Sequence, residues 1–159
     1  MQPTTTFAKI KAAGPCGTRY EYALRAAGGL RKYGADTPIA VRQIVETAGL
    51  DDALWCLRTM PEHSARWRLF AVACARRVQH LMTDPRSLAA LDVAERHAHG
   101  LATDVELAAA LAAALAAAGA VARDAALDAA GAVAWDAERE WQSDELIRIC
   151  EADMPELQC

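Results

Sequence analysis

His97 and His99 stand close to Asp92 and Glu95, and Glu95 lies one helical turn before His99. Imidazoles and carboxylates are the donors a divalent metal uses, so this is the first place to look for chemistry. Two histidines separated by one residue on a helix, however, project about 200° apart and cannot face one ion without a break. The reading is a solvated helix end, with no metal site. His63 and His80 are isolated and are read as simple polar side chains.

Nucleophilic chemistry would need an activated thiol or hydroxyl. The five cysteines are Cys16, Cys56, Cys74, Cys150 and Cys159, an odd number with no CxxC pair, which points to a reducing compartment. Cys74 falls on an apolar stripe, Cys56 follows Trp55, and both read as inert core thiols, with Cys150 similar and Cys159 terminal. GxSxG, HExxH and glycine-rich phosphate-loop patterns are absent. No catalytic residue and no cofactor site is expected, so the protein is read as a non-enzyme.

Two charged groupings remain as candidate binding residues. Arg66, Arg68, Arg76 and Arg77 cluster on the polar side of a helix around Trp67, with Arg66 and Arg77 pointing nearly the same way. They could meet phosphate, but the chain is acidic overall and lacks interleaved aromatics, which favours an internal role facing the acidic C-terminal segment. In that segment, WDAEREWQSDELIRIC, Trp135, Gln142, Leu146 and Ile149 share one face. Trp141 points elsewhere, beside Glu138, Glu140, Asp144 and Glu145, and an exposed tryptophan ringed by carboxylates suits a basic protein partner. The competing reading has Trp141 covering a neighbouring alanine face.

These residues must be positioned by helices. Punctuation by glycine and proline predicts helix one over Thr5 to Ala13, with Phe7 and Ile10 inward and Gly14-Pro15 as its stop. A second begins at Thr18 with capping-box spacing to Glu21 and ends at Gly28-Gly29. A third starts behind Asp36-Thr37-Pro38, lined by Ile39, Ile44, Val45 and Ala48, and Gly49 closes it. Asp51 then caps a short helix carrying Leu54, Trp55 and Leu57.

From Ser64 to Met82, Trp67, Phe70, Ala71, Cys74, Val78 and Leu81 form one apolar stripe. Asp84-Pro85 opens a helix with Leu88, Leu91 and Ala94 inward and Gly100 as its stop. Thr103 and Glu106 form a second capping box that begins an alanine-rich helix running to about residue 150. Unbroken, that helix would measure roughly 70 Å at about 1.5 Å per residue, so Gly119 and Gly131 are the expected bends. Its small residues would admit a partner helix, including one from a second copy.

Composition sets the class. Of 159 residues, 53% are hydrophobic, with alanine the main contributor, and 6% are aromatic, so the bulky core residues are few. Leucine, isoleucine and valine recur at helical rather than alternating spacing, and no β-branched run suggests a sheet. The longest uncharged stretch, Leu107 to Ala122, falls short of the ~20 apolar residues a membrane span requires. The N-terminal MQPTTTFAKIKAAG lacks the apolar core of a secretory leader, so a cytoplasmic location is expected. Net charge is −4, split unevenly: residues 1–120 carry 14 basic and 11 acidic side chains, net +3, and residues 121–159 carry 3 and 10, net −7.

The stretch TPIAVRQIVETAGLDDALWCLRTMPEHSARWRLFAVACARRVQHLM, followed by DPRSLAALDVAERHAHGLATDVELAAALAAA, resembles a group of phage- and prophage-encoded alanine-rich proteins. Their shared pattern is a GLDDALWCLR-like segment, an arginine-rich helix, an AxxVAExxAxGxAT-like segment and a long alanine tract. The similarity covers about residues 38–150, and Gly49 to Arg58 is its most specific part. Some relatives are described as immunity proteins. The resemblance implies a phage accessory protein acting in the bacterial host cell and carries over no catalytic residues.

The expected architecture is all-α and a single domain over residues 1–159: a short-helix bundle over 1–100, one long alanine-rich helix over 101–150, and an acidic tail over 151–159. The expected function is inhibition of a host defence component by protein–protein binding, with a CRISPR effector as one target. The alternatives are a nucleic-acid-binding phage regulator using Arg66, Arg76 and Arg77, and a toxin-neutralising immunity protein.

Overall fold

The structure is a computed structural model and describes residues 2–26, 28–117 and 132–153. It is all-α, as expected, apart from two paired dipeptide strands. The chain divides into two compact units. The first takes the residues up to His63 together with Ser143–Asp153, and the second takes Ser64–Gln142. The boundary expected at residue 100 falls inside the second unit. Gly119, Gly131 and the tail beyond Asp153, with Cys159, lie outside the described residues.

In the first unit, β1 (Thr4–Thr5) leads into α1 (Phe7–Ala12), where Thr6 accepts from the Lys9 amide at 3.1 Å and caps the helix. Phe7 and Ile10 are buried, as their spacing implied. α2 (Gly17–Ala26) ends in a Schellman motif: Gly29 N–H reaches Leu24 C=O at 2.8 Å, Gly28 N–H reaches Arg25 C=O at 2.9 Å, and both glycines hold positive φ. α3 (Leu30–Tyr33) was not foreseen. Nor was the Thr18–Glu21 capping box upheld: α2 starts at Gly17, and Glu21 instead pairs with Arg25 at 3.5 Å.

Ile39 is a correction too. It lies in β2 (Ile39–Ala40), antiparallel to β1 with Thr5 opposite Ile39, and not on the following helix. Pro38 explains the difference, since it closes an extended approach and the helix begins only at α4 (Val41–Ala48). Gly49, at φ +86°, ends α4 and also precedes α5 (Leu50–Cys56), so Asp51 sits in the first turn of α5 rather than at its cap.

Two single-turn 3₁₀ segments, Leu57–Thr59 and Pro61–His63, complete this part. Thr59 donates to Cys56 C=O at 2.7 Å, which leaves its oxygen to accept from the fully buried Thr5 hydroxyl at 2.6 Å. β1 is thereby tied to the end of α5. Val41, Leu50, Ala53 and Met60 are buried in this unit, as are Leu146, Ile149 and Cys150 of α9 (Ala132–Glu151). Arg42 of α4 grips Glu151 with two hydrogen bonds of 2.5 and 2.6 Å.

The second unit is built on α6 (Ser64–Arg77), α7 (Pro85–Ala98) and α8 (Asp104–Ala117), with α7 packed against both α6 and α8. Asp84 caps α7 through the Arg86 amide, and Gly100 closes it in a second Schellman motif with Leu101. The Thr103–Glu106 capping box is formed in both directions, at 3.2 and 2.7 Å. The α6 stripe is partly corrected. Phe70 is buried, but Val72 takes the place expected for Ala71, and Val78 and Leu81 are exposed because α6 ends at Arg77 and a 3₁₀ turn redirects the chain. The buried positions of α7 are Ala90 and Ala98.

Truncating Leu146, which is 0% exposed, should cost about 2–5 kcal/mol, whereas Val105→Ala on the 78%-exposed face of α8 should stay within about 0.5 kcal/mol. Urea unfolding of the two variants measures the contrast, and equal losses would contradict the assignment of the core.

Candidate functional site

The residues singled out in the sequence fall into separate places. In the second unit, Arg77 closes α6 and its Nε donates to Glu138 Oε2 at 2.7 Å. Its guanidinium carbon lies 4.2 Å from the centroid of the Trp141 ring, a cation–π contact. Glu138, Trp141 and Gln142 share a face of α9 because their spacings are three and four, and Gln142 Nε2 donates to Glu138 Oε1 at 3.2 Å. Trp141 is therefore half-buried beneath an arginine, which corrects the expectation of an exposed ring. The internal role favoured for Arg77 is the one its geometry has. Trp135's side chain lies outside the described residues.

The other arginines of α6 are also committed. Arg76 bridges Asp92 at 2.5 Å and Glu95 at 3.1 Å, and these contacts, Asp92 first, hold its pKa above the ordinary value. Arg68 lies 3.0 Å from His97 Nδ1, and His97 Nε2 lies 2.7 Å from Asp104. Arginine can only donate, so Nδ1 accepts and the ring proton sits on Nε2, facing the carboxylate. Arg66 is only 5% exposed, which removes it from the residues a partner could reach. Both nitrogens of His97 are occupied, His99 is exposed, and no metal-binding group forms among the described residues.

On α9 the carboxylates divide. Glu145 is taken by Arg148 in a bidentate pair at 2.6 and 2.7 Å, which lowers its pKa. Asp136 and Glu140, one turn apart in the second unit, are exposed and make no hydrogen bond or ion pair among the described residues. Asp144, in the first unit, is exposed and unpaired in the same sense. Asp136 was missed in the sequence, although its position four residues before Glu140 was the available signal.

Residue spacing holds no sign of the cleft in the first unit. It opens among α1, α2, α3, β2, α4 and α5 and has a volume of about 120 Å³. Its floor is apolar, with Phe7, Ile10, Ile39 and Ile44 all buried. Phe7 meets Tyr20 and Tyr33 edge-to-face, at centroid distances of 6.1 and 5.7 Å. The Tyr33 hydroxyl lies 3.0 Å from the Gln43 amide oxygen, and Arg19 and Asp52 form an ion pair of 2.9 Å among the lining residues. A closed apolar void of this size would cost about 3 kcal/mol at roughly 24 cal/mol per Å³.

Two thiols line the cleft and differ in kind. Cys16 is exposed just before α2, its sulfur 3.5 Å from the Thr18 hydroxyl, and its pKa is lowered by that hydroxyl, then by the Thr18 and Arg19 amides and the Arg19 charge. Cys56 is buried, and desolvation followed by the Asp52 charge pushes its pKa up to about 11. No known protein family, curated protein or solved structure gives a match to the chain.

Alkylation with iodoacetamide should separate the thiols by pH. Cys16 should reach its plateau rate at a lower pH than an ordinary thiol, and Cys56 should still be gaining reactivity toward pH 11. Thr18→Val should move the Cys16 midpoint upward. In the second unit, a double-mutant cycle of Arg77→Ala and Trp141→Ala should give a coupling of about 0.5–1 kcal/mol in thermal or urea unfolding. Additive losses would show that the stacked geometry contributes nothing.

Proposed function

We propose that the chain is a non-enzymatic phage or prophage protein that inhibits a host defence system by binding one of its proteins, with a CRISPR effector as the leading target class. The observation that carries this reading is the division among the carboxylates of α9. Glu138, Glu145 and Glu151 are neutralised by Arg77, Arg148 and Arg42, while Asp136 and Glu140 are left exposed without a partner among the described residues. Carboxylates that carry no internal duty are available to a basic partner, and proteins that grip nucleic acid present such basic surfaces. Complementary charge there speeds encounter and selects the partner more than it adds affinity. The phage setting is part of this proposal and rests on the pattern read in residues 38–150, since no known family matches the chain.

The nucleic-acid reading loses support at its own residues. Arg66 is buried, Arg76 holds two carboxylates and Arg77 holds Glu138, so each would have to give up an existing contact to meet phosphate. A toxin-neutralising immunity protein would use the same acidic surface, and the identity of the partner separates the two.

Tagged protein purified from infected or lysogenic cells should bring down a basic, nucleic-acid-handling defence component. The double reversal Asp136→Lys/Glu140→Lys should abolish that capture and the protection of phage in a plaque assay, with the thermal unfolding midpoint unchanged. Protection that survives the reversal would refute the assignment of this surface, and capture of a secreted or co-encoded toxin would favour the immunity reading.

A further inference from the structure

We propose that the cleft of the first unit is a binding site for a neutral, single-ring aromatic molecule bearing one hydroxyl or carbonyl group. Size is the first reason. The volume of about 120 Å³ is a little below the roughly 150 Å³ of an aliphatic and aromatic cavity that takes up benzene. It is too small for a nucleotide or a peptide segment.

The walls choose the class. Phe7 has Tyr20 and Tyr33 set at 81° and 89° to its plane, and Trp55 also lines the cleft, so a flat ring would find both ring faces and ring edges to pack against. Ile39 and Ile44 close the floor with branched aliphatic surface that no water can hydrogen-bond. Among the described residues, the one cation lining the cleft is Arg19, and it is already paired with Asp52, so no net charge remains there to hold an ionic ligand.

The polar handle is the Gln43 amide. Its oxygen lies 3.0 Å from the Tyr33 hydroxyl, and its NH₂ has no partner among the described residues. A ligand hydroxyl or carbonyl oxygen can accept from that NH₂, while the ring occupies the apolar floor. A few convergent polar groups at the wall of an apolar cavity are the usual composition of a small-molecule site. This inference does not depend on the acidic surface of α9: either can fail alone.

p-Cresol, added to the full chain and followed by two-dimensional NMR, is the direct test. Saturable one-site binding is expected, with a dissociation constant of roughly 0.1–1 mM for so few heavy atoms. The shifts should concentrate at Phe7, Tyr33, Gln43 and the Trp55 indole. Ala48→Phe, which fills the cleft from α4, should weaken binding at least about tenfold. Gln43→Leu should weaken p-cresol about five- to tenfold and leave toluene, which has no hydroxyl, within about twofold. Absence of saturation, shifts centred elsewhere, or a folded Ala48→Phe variant that binds like the parent would overturn the proposal. If Ala48→Phe fails to fold, Gln43→Leu decides: loss of both compounds alike, or of neither, refutes the site.

Discussion

Bulk is the scarce quantity in this chain. Only 6% of its residues are aromatic, and alanine supplies much of its apolar surface, so each helical turn has little to bury. The few large side chains are divided between the two units. Phe7, Tyr20, Tyr33 and Trp55 all lie in the first unit, where they surround a cleft, and Met60 and Leu146 fill its most deeply buried positions. Among the described residues of the second unit, Phe70, Val72, Leu107, Ala90 and Ala98 are buried and Trp67 and Trp141 are half-buried, so small residues share its interior with a few large ones.

Guanidinium contacts tie the helices of the second unit together. Arg76 with Asp92 and Glu95, and Arg68 with His97 and on to Asp104, link successive helices, and Arg77 with Glu138 and Trp141 links α6 to α9. Singly, exposed pairs of this kind contribute about 0–1 kcal/mol, but arginine adds flat carbon surface as well as charge. The charge asymmetry of the sequence thus has a structural half and a free half. Part of the acidic excess after residue 120 answers arginines from α4 and α6, and what remains uncompensated on α9 is the part a partner can use.

What was legible in the sequence was what local geometry dictates. Gly14, Gly28, Gly29, Gly49 and Gly100 mark helix ends because each holds a positive φ that other residues adopt at a cost, and the Thr103–Glu106 box closes within one turn. Long-range pairings were not legible. Thr5 finds Ile39 across three intervening helices, and a strand of two residues has no alternation to read. The burial of Arg66 depends on neighbours that periodicity does not identify. The Arg77–Glu138 contact could be anticipated only as a general attraction between a basic helix and an acidic one. The stacking of that arginine on Trp141, which removes the ring from free exposure, required coordinates.

The cleft escaped for a different reason: it belongs to no single element. The helices around it are short, between four and ten residues, and several are separated by positive-φ glycines that turn the chain sharply. The Tyr20 and Tyr33 rings each stand nearly at right angles to that of Phe7. A chain so poor in bulky residues that nevertheless directs three aromatic rings and a tryptophan around an opening, rather than into it, leaves apolar surface facing space a guest could fill. The same hydrophobic term that would favour closing the gap then favours a ligand of matching size.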